Sequence, residues 1–205
     1  MQAFVLNLDS RPDRWALIKK RMPEFKLRRI SAIAKPVGGY GNFLSIIKAI
    51  QTAKRERLPE VLILEDDCLP KKGYIGIWRK VKKWLDLNPD KWDIYSGGAH
   101  QIFGPNFIGS TDGVKFYDPL WCVASHWIYV QERSYDKLLA HYKRYCIGAS
   151  YWSKLGVDVH NNLFTTVISY PFIAYQDSGY SNVNKTHRNT RKLFRNSERG
   201  LSRKN

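Results

Sequence analysis

Residues 61–64 (VLIL) constrain the fold of this chain more than any other segment. They are four apolar residues in a row with no polar alternation, which is typical of a strand covered on both faces, as in a parallel sheet flanked by helices. The run leads directly into three carboxylates, Glu65, Asp66 and Asp67. Because open α/β sheets bind ligands outside the carboxyl ends of their strands, we expect a functional site at this junction.

The segment before this strand has a strand–helix–strand pattern. Residues 3–8 (AFVLNL) predict a first buried strand, and residues 26–33 predict a second short strand. Ser10 is expected to cap the helix between them, with Pro12 in its first turn and Asp13 at its positive end.

Further helices and strands are predicted along the rest of the chain. Asn42 should cap a helix after the loop at 38–42, and Ser134 should cap a helix over 135–145. Pro171 marks the strand pattern at 165–175 as an edge or terminal strand. Another helix is predicted at 74–85, with strands at 92–95 and 127–130. This order predicts the α/β class, as a single domain with a mixed central sheet flanked by helices.

The charge of the chain is strongly positive and uneven. Its 205 residues include 34 Lys and Arg against 18 Asp and Glu, and eight of the cations lie after residue 184 beside one acid, Glu198. We therefore expect a domain at 1–184 followed by a basic C-terminal extension at 185–205. Such a segment attracts polyanions and leaves room for peripheral contact with an anionic membrane, although a solvated terminus is the simpler interpretation.

Composition also argues against several protein classes. No apolar run approaches the roughly 18 residues of a membrane span, and Asp9 comes too early for a secretory signal. Cys68, Cys122 and Cys146 are far apart, so neither a disulfide framework nor a zinc knuckle fits them. We expect reduced thiols in a cytoplasmic protein that could associate with a membrane surface.

The acidic triplet predicts a site for a hard divalent cation, Mg²⁺ or Mn²⁺. In extended backbone, Glu65 and Asp67 point to one side, where they could share a metal ion. Asp66 then points to the other side, toward a backbone N–H or a substrate hydroxyl. A solvated turn after a strand is the alternative interpretation of these residues.

Several ordered blocks together resemble glycosyltransferase family 25, the lipopolysaccharide-type transferases that include collagen galactosyltransferase domains. The chain opening is similar to the family's N-terminal signature, LILEDDC is similar to its "LEDD" segment, and later blocks follow in the same order. One departure is Ile46, which stands where the family usually has His after the helix Ser. The resembling segments are VLNLDSRPDRW (5–15), GYGNFLSIIKAI (39–50), LILEDDC (62–68), KWDIYSGG (91–98), HWIYVQERSYDKLLAHY (126–142), LGVDVH (155–160) and YPFIAYQDSGYSNV (170–183).

The resemblance implies a GT-A-like, Rossmann-type fold and a metal-dependent transfer of a hexose from a UDP-sugar, as in lipopolysaccharide or other glycan biosynthesis. The acceptor hydroxyl would belong to a glycan, a lipid-linked glycan or a protein. Glu65 and Asp67 would hold Mn²⁺ or Mg²⁺, and Asp66 would lie close to the donor. By analogy with a C-terminal His in other metal-dependent transferases, His187 is a candidate third metal ligand. The residues expected to line the nucleotide pocket are Asn7, Asp9, Arg11 and Arg14.

Three further roles complete the expected site. An inverting transfer needs a base for the acceptor hydroxyl, and Asp158 matches the family's late Asp. Lys185 and Arg188 are hypothesised to fold over the diphosphate, where charge-assisted bonds would stabilise it. Aromatic side chains outside regular elements could stack on an acceptor sugar, although core packing is the competing interpretation. The acceptor candidates are Trp121, Tyr151, Trp152 and His160, the last also open as a metal ligand or a structural residue.

A metal-dependent nuclease, or another nucleic-acid enzyme, is the alternative function that acids and positive charge would also suit. The cations do not interleave with aromatics along a stripe, and no recognition-helix or zinc-finger spacing is present. We therefore expect no nucleic-acid partner. A non-enzymatic basic module is a third interpretation, which leaves the three acids without a purpose.

Overall fold

The computed structural model describes residues 1–36, 38–145, 161–181 and 186–203. The helices in these ranges are α1 (Pro12–Arg21), α2 (Gly38–Arg55), α3 (Tyr74–Leu87), α4 (Glu132–Tyr145) and α5 (Arg191–Ser202), with a 3-10 turn at Pro89–Lys91. The strands are β1 (Gln2–Asn7), β2 (Lys26–Ser31), β3 (Glu60–Glu65), β4 (Cys68–Pro70), β5 (Ile94–Ser96), β6 (Gln101–Thr111), β7 (Val114–Val123), β8 (Trp127–Gln131), β9 (Thr166–Tyr170), β10 (Ala174–Gln176), β11 (Gly179–Ser181) and β12 (Thr186–Arg188).

Eight of these strands form one mixed sheet in the order β2-β1-β3-β8-β5-β9-β7-β6. β1 is parallel to β2 and β3, and β5 is parallel to β9. β8 runs antiparallel between β3 and β5, and β7 is antiparallel to both β9 and β6. The predicted fold class, an α/β domain with a mixed central sheet flanked by helices, is confirmed.

Helices cover both faces of β3, as its unbroken apolar run predicts. Leu62 and Leu64 pack on one face with residues of α1 and α3, whereas Val61 and Ile63 pack on the other with residues of α2 and α4. All four side chains are buried, because the period-2 alternation of a strand sends successive residues into two separate cores. This double burial fixes the register of β3 and therefore the position of the acids that follow it.

The long β6–β7 hairpin is covered by different helices on its two faces. Phe116 stacks on Trp84 of α3, with ring centroids 4.0 Å apart. Its neighbour Tyr117 points to the opposite face and donates a 3.3 Å hydrogen bond to the carbonyl of Leu201 in α5. β6 is not expected from the sequence, where Gly104, Pro105 and Gly109 give the segment the composition of a loop.

The described part of the basic extension is largely a folded helix. Phe194 and Leu201 of α5 are buried in a core cluster with Tyr117, Cys122 and Phe172. Glu198 is buried as well, and its carboxylate accepts hydrogen bonds from the backbone N–H of Phe172 and from the side chains of Lys71 and Tyr175. This helix therefore packs on the sheet through its apolar side and exposes its outer face to solvent.

Four local predictions are wrong. α4 begins at Glu132, which places Ser134 inside that helix and not at its cap. α1 begins at Pro12 with no side-chain cap from the preceding residue, so Ser10 is not its cap. α2 begins at Gly38, which places Asn42 inside the helix. β9 is an interior strand, since Pro171 follows its last residue and β7 pairs along its outer edge. In the part of the chain that the structure describes, no helix is long and apolar enough to cross a bilayer.

Candidate functional site

The candidate site lies at one edge of the central sheet, where several chain segments meet. β1 and β3 are parallel neighbours, so Asn7 and Glu65 end their strands at the same edge. β8 is antiparallel and begins there, with Trp127 opposite Leu64. β4 follows the acidic triplet and pairs with β10, which brings Gln176 opposite Cys68. This edge therefore collects polar residues that are far apart in the sequence.

Asp66 is held by two donors from the first strand–helix unit. Asn7 Nδ2 donates a 2.7 Å hydrogen bond to Asp66 Oδ2, and Arg14 donates a 2.9 Å hydrogen bond to Oδ1. Asn7 is fully buried, and its amide oxygen accepts a 2.8 Å hydrogen bond from Arg29 Nε. Asn7 thus orients the Asp66 carboxylate from the buried side of the site. A direct contact of Asn7 with a nucleotide stays a prediction.

Glu65 and Asp67 share one donor. Gln176 Nε2 lies 3.3 Å from Glu65 Oε2 and 3.2 Å from Asp67 Oδ2. Glu65 Oε1 accepts further hydrogen bonds from Asn42 Nδ2 at 2.8 Å and from Ser125 Oγ at 2.6 Å. The two carboxylates therefore face the same amide nitrogen, while Asp66 turns toward Asn7 and Arg14, as the alternation of extended backbone predicts.

Asp67 is a buried carboxylate whose pKa is strongly shifted. Burial, with the negative charges of Glu65 and Asp66 nearby, raises the pKa of Asp67 well above its usual range, and this outweighs the lowering by Arg14 and Gln176. Arg14 Nη1 is 3.8 Å from Asp67 Oδ2, too far for a direct hydrogen bond. A desolvated carboxylate beside two others is unfavourable unless a proton or a cation neutralises it.

The oxygen atoms at this edge fit a hard divalent cation. Among the described residues, Asp67 Oδ1 and Asn42 Oδ1 are buried without a hydrogen-bond partner. Both lie beside Glu65, and oxygen ligands of this kind are what Mg²⁺ and Mn²⁺ prefer. No group of three or more His, Cys, Asp or Glu side chains within the described ranges is arranged to hold a metal. A full coordination shell would therefore need the amide, water or substrate oxygens.

The side chain of Asp177, with two arginine partners, lies next to the acidic pair. The backbone N–H of Asp177 donates a 2.8 Å hydrogen bond to the carbonyl of Asp67. The Asp177 side chain pairs with Arg21 of α1 and with Arg191 of α5, the latter at 2.6 Å. Burial would raise the pKa of Asp177, but hydrogen bonds from Arg191 and Arg21 lower it overall. This carboxylate connects α1, β10 and α5 around the site.

The other residues expected from the opening signature lie at the rim. Asp9 is largely exposed and pairs with Arg29 at 2.9 Å. Arg11 forms an ion pair with Asp13 at 2.7 Å, and its guanidinium feels the charges of Asp66 and Asp67. Arg14 is half-buried between Asp66 and Asp67. Of these residues, Arg14 is in direct contact with the acids, and the nucleotide contacts of all three stay predictions.

The structure corrects the setting of one acceptor candidate and leaves several other predicted site residues undescribed. Trp121 is expected outside regular elements but lies within β7, where it is exposed and pairs across the hairpin with Phe103. His187 and Arg188 belong to β12, which pairs with β11 just after Gln176, but only their backbone is described. The remaining residues lie outside the described ranges: Tyr151, Trp152, Asp158, His160 and Lys185.

Sequence analysis missed three groups that contact the acids. Gln176 lies in the late block 170–183 but has no assigned role there, and Asn42 is interpreted only as a helix cap. Ser125 lies in the short gap before β8 and carries no pattern of its own. Asn42 and Gln176 are polar residues beside recognised elements, which is the one signal that could have directed attention to them.

Comparison with known proteins gives structural likenesses only. No protein-family model matches the chain, and no curated protein matches it in sequence. The crystal structure of A197 from STIV is similar over 91% of this chain and 91% of that chain, at 12% identity and a TM-score of 0.51. The resemblance to glycosyltransferase family 25 therefore remains a resemblance of sequence blocks.

Two enzyme structures are similar at a greater distance. A glycosyltransferase involved in the glycosylation of the major capsid of PBCV-1 matches 68% of this chain and 64% of its own, at 9% identity and a TM-score of 0.43. A mannose-1-phosphate geranyltransferase from Thermus thermophilus matches 80% of this chain and 57% of its own, at 11% identity and a TM-score of 0.43. What these structures share with this chain is limited to the path of the backbone.

Proposed function

We propose that this protein is a metal-dependent glycosyltransferase that moves a hexose from a UDP-sugar to a hydroxyl of a glycan, a lipid-linked glycan or a protein. One observation carries the proposal: Glu65 and Asp67 face a common point at the sheet edge, with the Asp67 carboxylate buried and its pKa raised. A pair of this kind is stabilised by a cation, and the carboxyl edge of an α/β sheet is where a nucleotide binds.

The residues at this edge divide into two functions under the proposal. Glu65 and Asp67 would hold Mn²⁺ or Mg²⁺, with Asn42 Oδ1 close by. Bound there, such a cation supplies Lewis-acid stabilisation to the charge that grows on a departing diphosphate. Asp66 is fixed by Asn7 and Arg14, so it can accept a hydrogen bond from the donor without changing its rotamer.

The remaining roles rest on the resemblance rather than on described side chains. Asp158 would remove the proton of the acceptor hydroxyl in an inverting transfer. His187 and Arg188, whose strand β12 pairs with β11 just after β10, would contribute to the metal and diphosphate contacts together with Lys185. Arg191, which is paired with Asp177 beside the site, would be a further cation near the leaving group.

Thermal unfolding with ligands tests the function directly. UDP together with Mn²⁺ should raise the melting temperature of the full chain, because a ligand of the native state stabilises it by mass action. Asp67→Asn should abolish that shift, whereas the matched variant Asp136→Asn, on the exposed surface of α4, should keep it. Hydrolysis of a panel of UDP-sugars by the parent chain then identifies the donor.

Two results would contradict the proposal. The first is a thermal shift with duplex DNA and none with any nucleoside diphosphate plus metal, which would favour the nuclease alternative. The second is UDP-sugar hydrolysis that survives Asp67→Asn unchanged, because it would separate the reaction from the acidic pair.

A further inference from the structure

We propose that the outer face of α5 is a docking surface for an anionic lipid bilayer. The proposal concerns a surface outside the candidate site and does not rest on the proposed function. Its basis is the charge pattern of a helix that the sheet holds rigidly in place.

The two faces of α5 differ sharply. Phe194, Glu198 and Leu201 point inward and are buried. Every charged residue on the exposed side is a cation, since the one acid of the helix, Glu198, is buried and paired with Lys71. The helix is therefore anchored by its apolar side and presents its basic side to solvent.

Four of these cations form one continuous stripe. Lys192, Arg195, Arg199 and Arg203 follow one another at intervals of three or four residues, which places them on one face of a helix. Among the described residues none of the four takes part in an ion pair, whereas Arg191 is neutralised by Asp177. With Asn189 and Asn196, the first three and Arg191 border an open groove of about 430 Å³. We call these four cations the basic stripe.

An exposed leucine accompanies the basic stripe and distinguishes a bilayer from a soluble polyanion. Leu193 is 48% exposed; it follows Lys192 in the sequence and lies one helical turn before Asn196, which borders the groove. Cations with a neighbouring apolar side chain suit the headgroup–acyl boundary, while a soluble polyanion gains nothing from the leucine.

Vesicle flotation of the full chain tests this surface in the absence of nucleotide and metal. The chain should bind phosphatidylcholine vesicles that contain phosphatidylserine and should not bind vesicles of phosphatidylcholine alone. Added salt should weaken the binding because it screens exposed charges. The double variant Lys192→Gln with Arg199→Gln should lose about 25-fold in affinity, at about fivefold per cation.

A matched control removes the same charges from another surface. Arg79 and Lys83 are exposed on α3, which covers the opposite face of β7 through Trp84 and Phe116. Arg79→Gln with Lys83→Gln changes the net charge by the same two units and should reduce the affinity less than about threefold. Unchanged melting temperatures confirm that both double variants are folded.

A third variant separates lipid from soluble polyanions. Leu193→Ser should weaken vesicle binding by at least about threefold. The proposal is overturned if anionic vesicles are not bound, or if the α5 and α3 double variants lose equal affinity, which would make the overall charge responsible. It is also overturned if Leu193→Ser binds vesicles as well as the parent, since a purely ionic surface would then suffice.

Discussion

Asn7 Nδ2 donates a 2.7 Å hydrogen bond to Asp66 Oδ2, a residue 59 positions later in the chain. Asn7 also donates to the carbonyl of Arg11 and accepts from Arg29, so one buried amide connects β1, the start of α1, β2 and the acidic triplet. The carboxylate next to the proposed metal ligands is thus oriented by the first strand of the fold, before any ligand binds.

Replacing Asn7 should therefore destabilise the whole domain. Asn7→Ala removes three hydrogen bonds, two of them to charged groups, and we expect a loss of about 2–4 kcal/mol in the free energy of unfolding. Urea denaturation measures it. Asn106→Ala, on the exposed surface of β6, is the control and should change the value by less than about 0.5 kcal/mol. Equal effects of the two variants would show that the Asn7 network does not support the fold.

Asp67 should make the metal-free protein less stable as the pH rises. Its pKa is raised in the fold to about 8, against an ordinary value of 3.8, so between these values the folded chain keeps a proton that the unfolded chain has released. Stability therefore declines from about pH 4 to about pH 8. Asp67→Asn removes this linkage, and its melting temperature should exceed that of the parent by at least about 3 °C at pH 8.5, with a smaller difference at pH 5.

The difference in melting temperature between Asp67→Asn and the parent chain should become smaller when metal is present. Saturating Mn²⁺ should stabilise the parent chain and reduce the difference, because the cation favours the charged carboxylate. Melting curves in a chelator and in Mn²⁺, at both pH values, measure how the difference depends on metal and on pH. A difference between the chains that does not depend on pH would contradict the assignment of a raised pKa to Asp67.

The sequence predicts the acidic edge of the sheet because local patterns determine it. The apolar run 61–64 can be covered on both faces only inside a sheet, and the alternation of extended backbone then separates Asp66 from Glu65 and Asp67. Gln176 could not be predicted in the same way. It reaches the acids through the pairing of β4 with β10, across 109 residues from Asp67, and no local pattern records such a contact.

In the β6–β7 hairpin, by contrast, the local sequence does not predict the strand β6. Gly104 and Gly109 adopt positive φ values, 53° and 152°, within a strand whose composition resembles a loop. The register shifts between Phe107 and Gly109, so the alternation of apolar residues is interrupted there. The strand exists because its neighbours β7, α3 and α5 pack against it, which is tertiary information that the residues of β6 do not contain.

Two helical glycines should respond in opposite directions to the same substitution. A Cβ on Gly41 of α2 would lie 2.3 Å from the carbonyl oxygen of Ile33, a backbone atom that cannot move aside. A Cβ on Gly76 of α3 would meet nothing within 4 Å. We expect Gly41→Ala to cost about 1–3 kcal/mol of unfolding free energy and Gly76→Ala to add about 0.5–1 kcal/mol. Chemical denaturation of both variants measures the pair, and a stabilised Gly41→Ala would show that the Ile33–Gly41 contact is looser than described.

His126 should make the fold sensitive to acid. It is fully buried before β8, with Nε2 3.2 Å from the carbonyl oxygen of Ala174 and its ring edge-on to Phe194 of α5. Burial lowers the pKa of His126 to about 4, so the folded chain holds the imidazole neutral while the unfolded chain protonates it near pH 6.5. The stability that depends on the neutral ring is present above about pH 6.5 and is lost as the pH falls toward 4.

This sign is opposite to that of Asp67, so the two contributions must be separated by variants. Relative to His126→Gln, the parent chain should lose about 2–3 kcal/mol of unfolding free energy between pH 7.5 and pH 4.5. Urea titrations of both chains at the two pH values measure the difference, and Asp67→Asn as a common background removes the competing proton. If the parent and His126→Gln lose stability in parallel over this range, the imidazole is not held neutral by burial, and another group must cause the acid sensitivity.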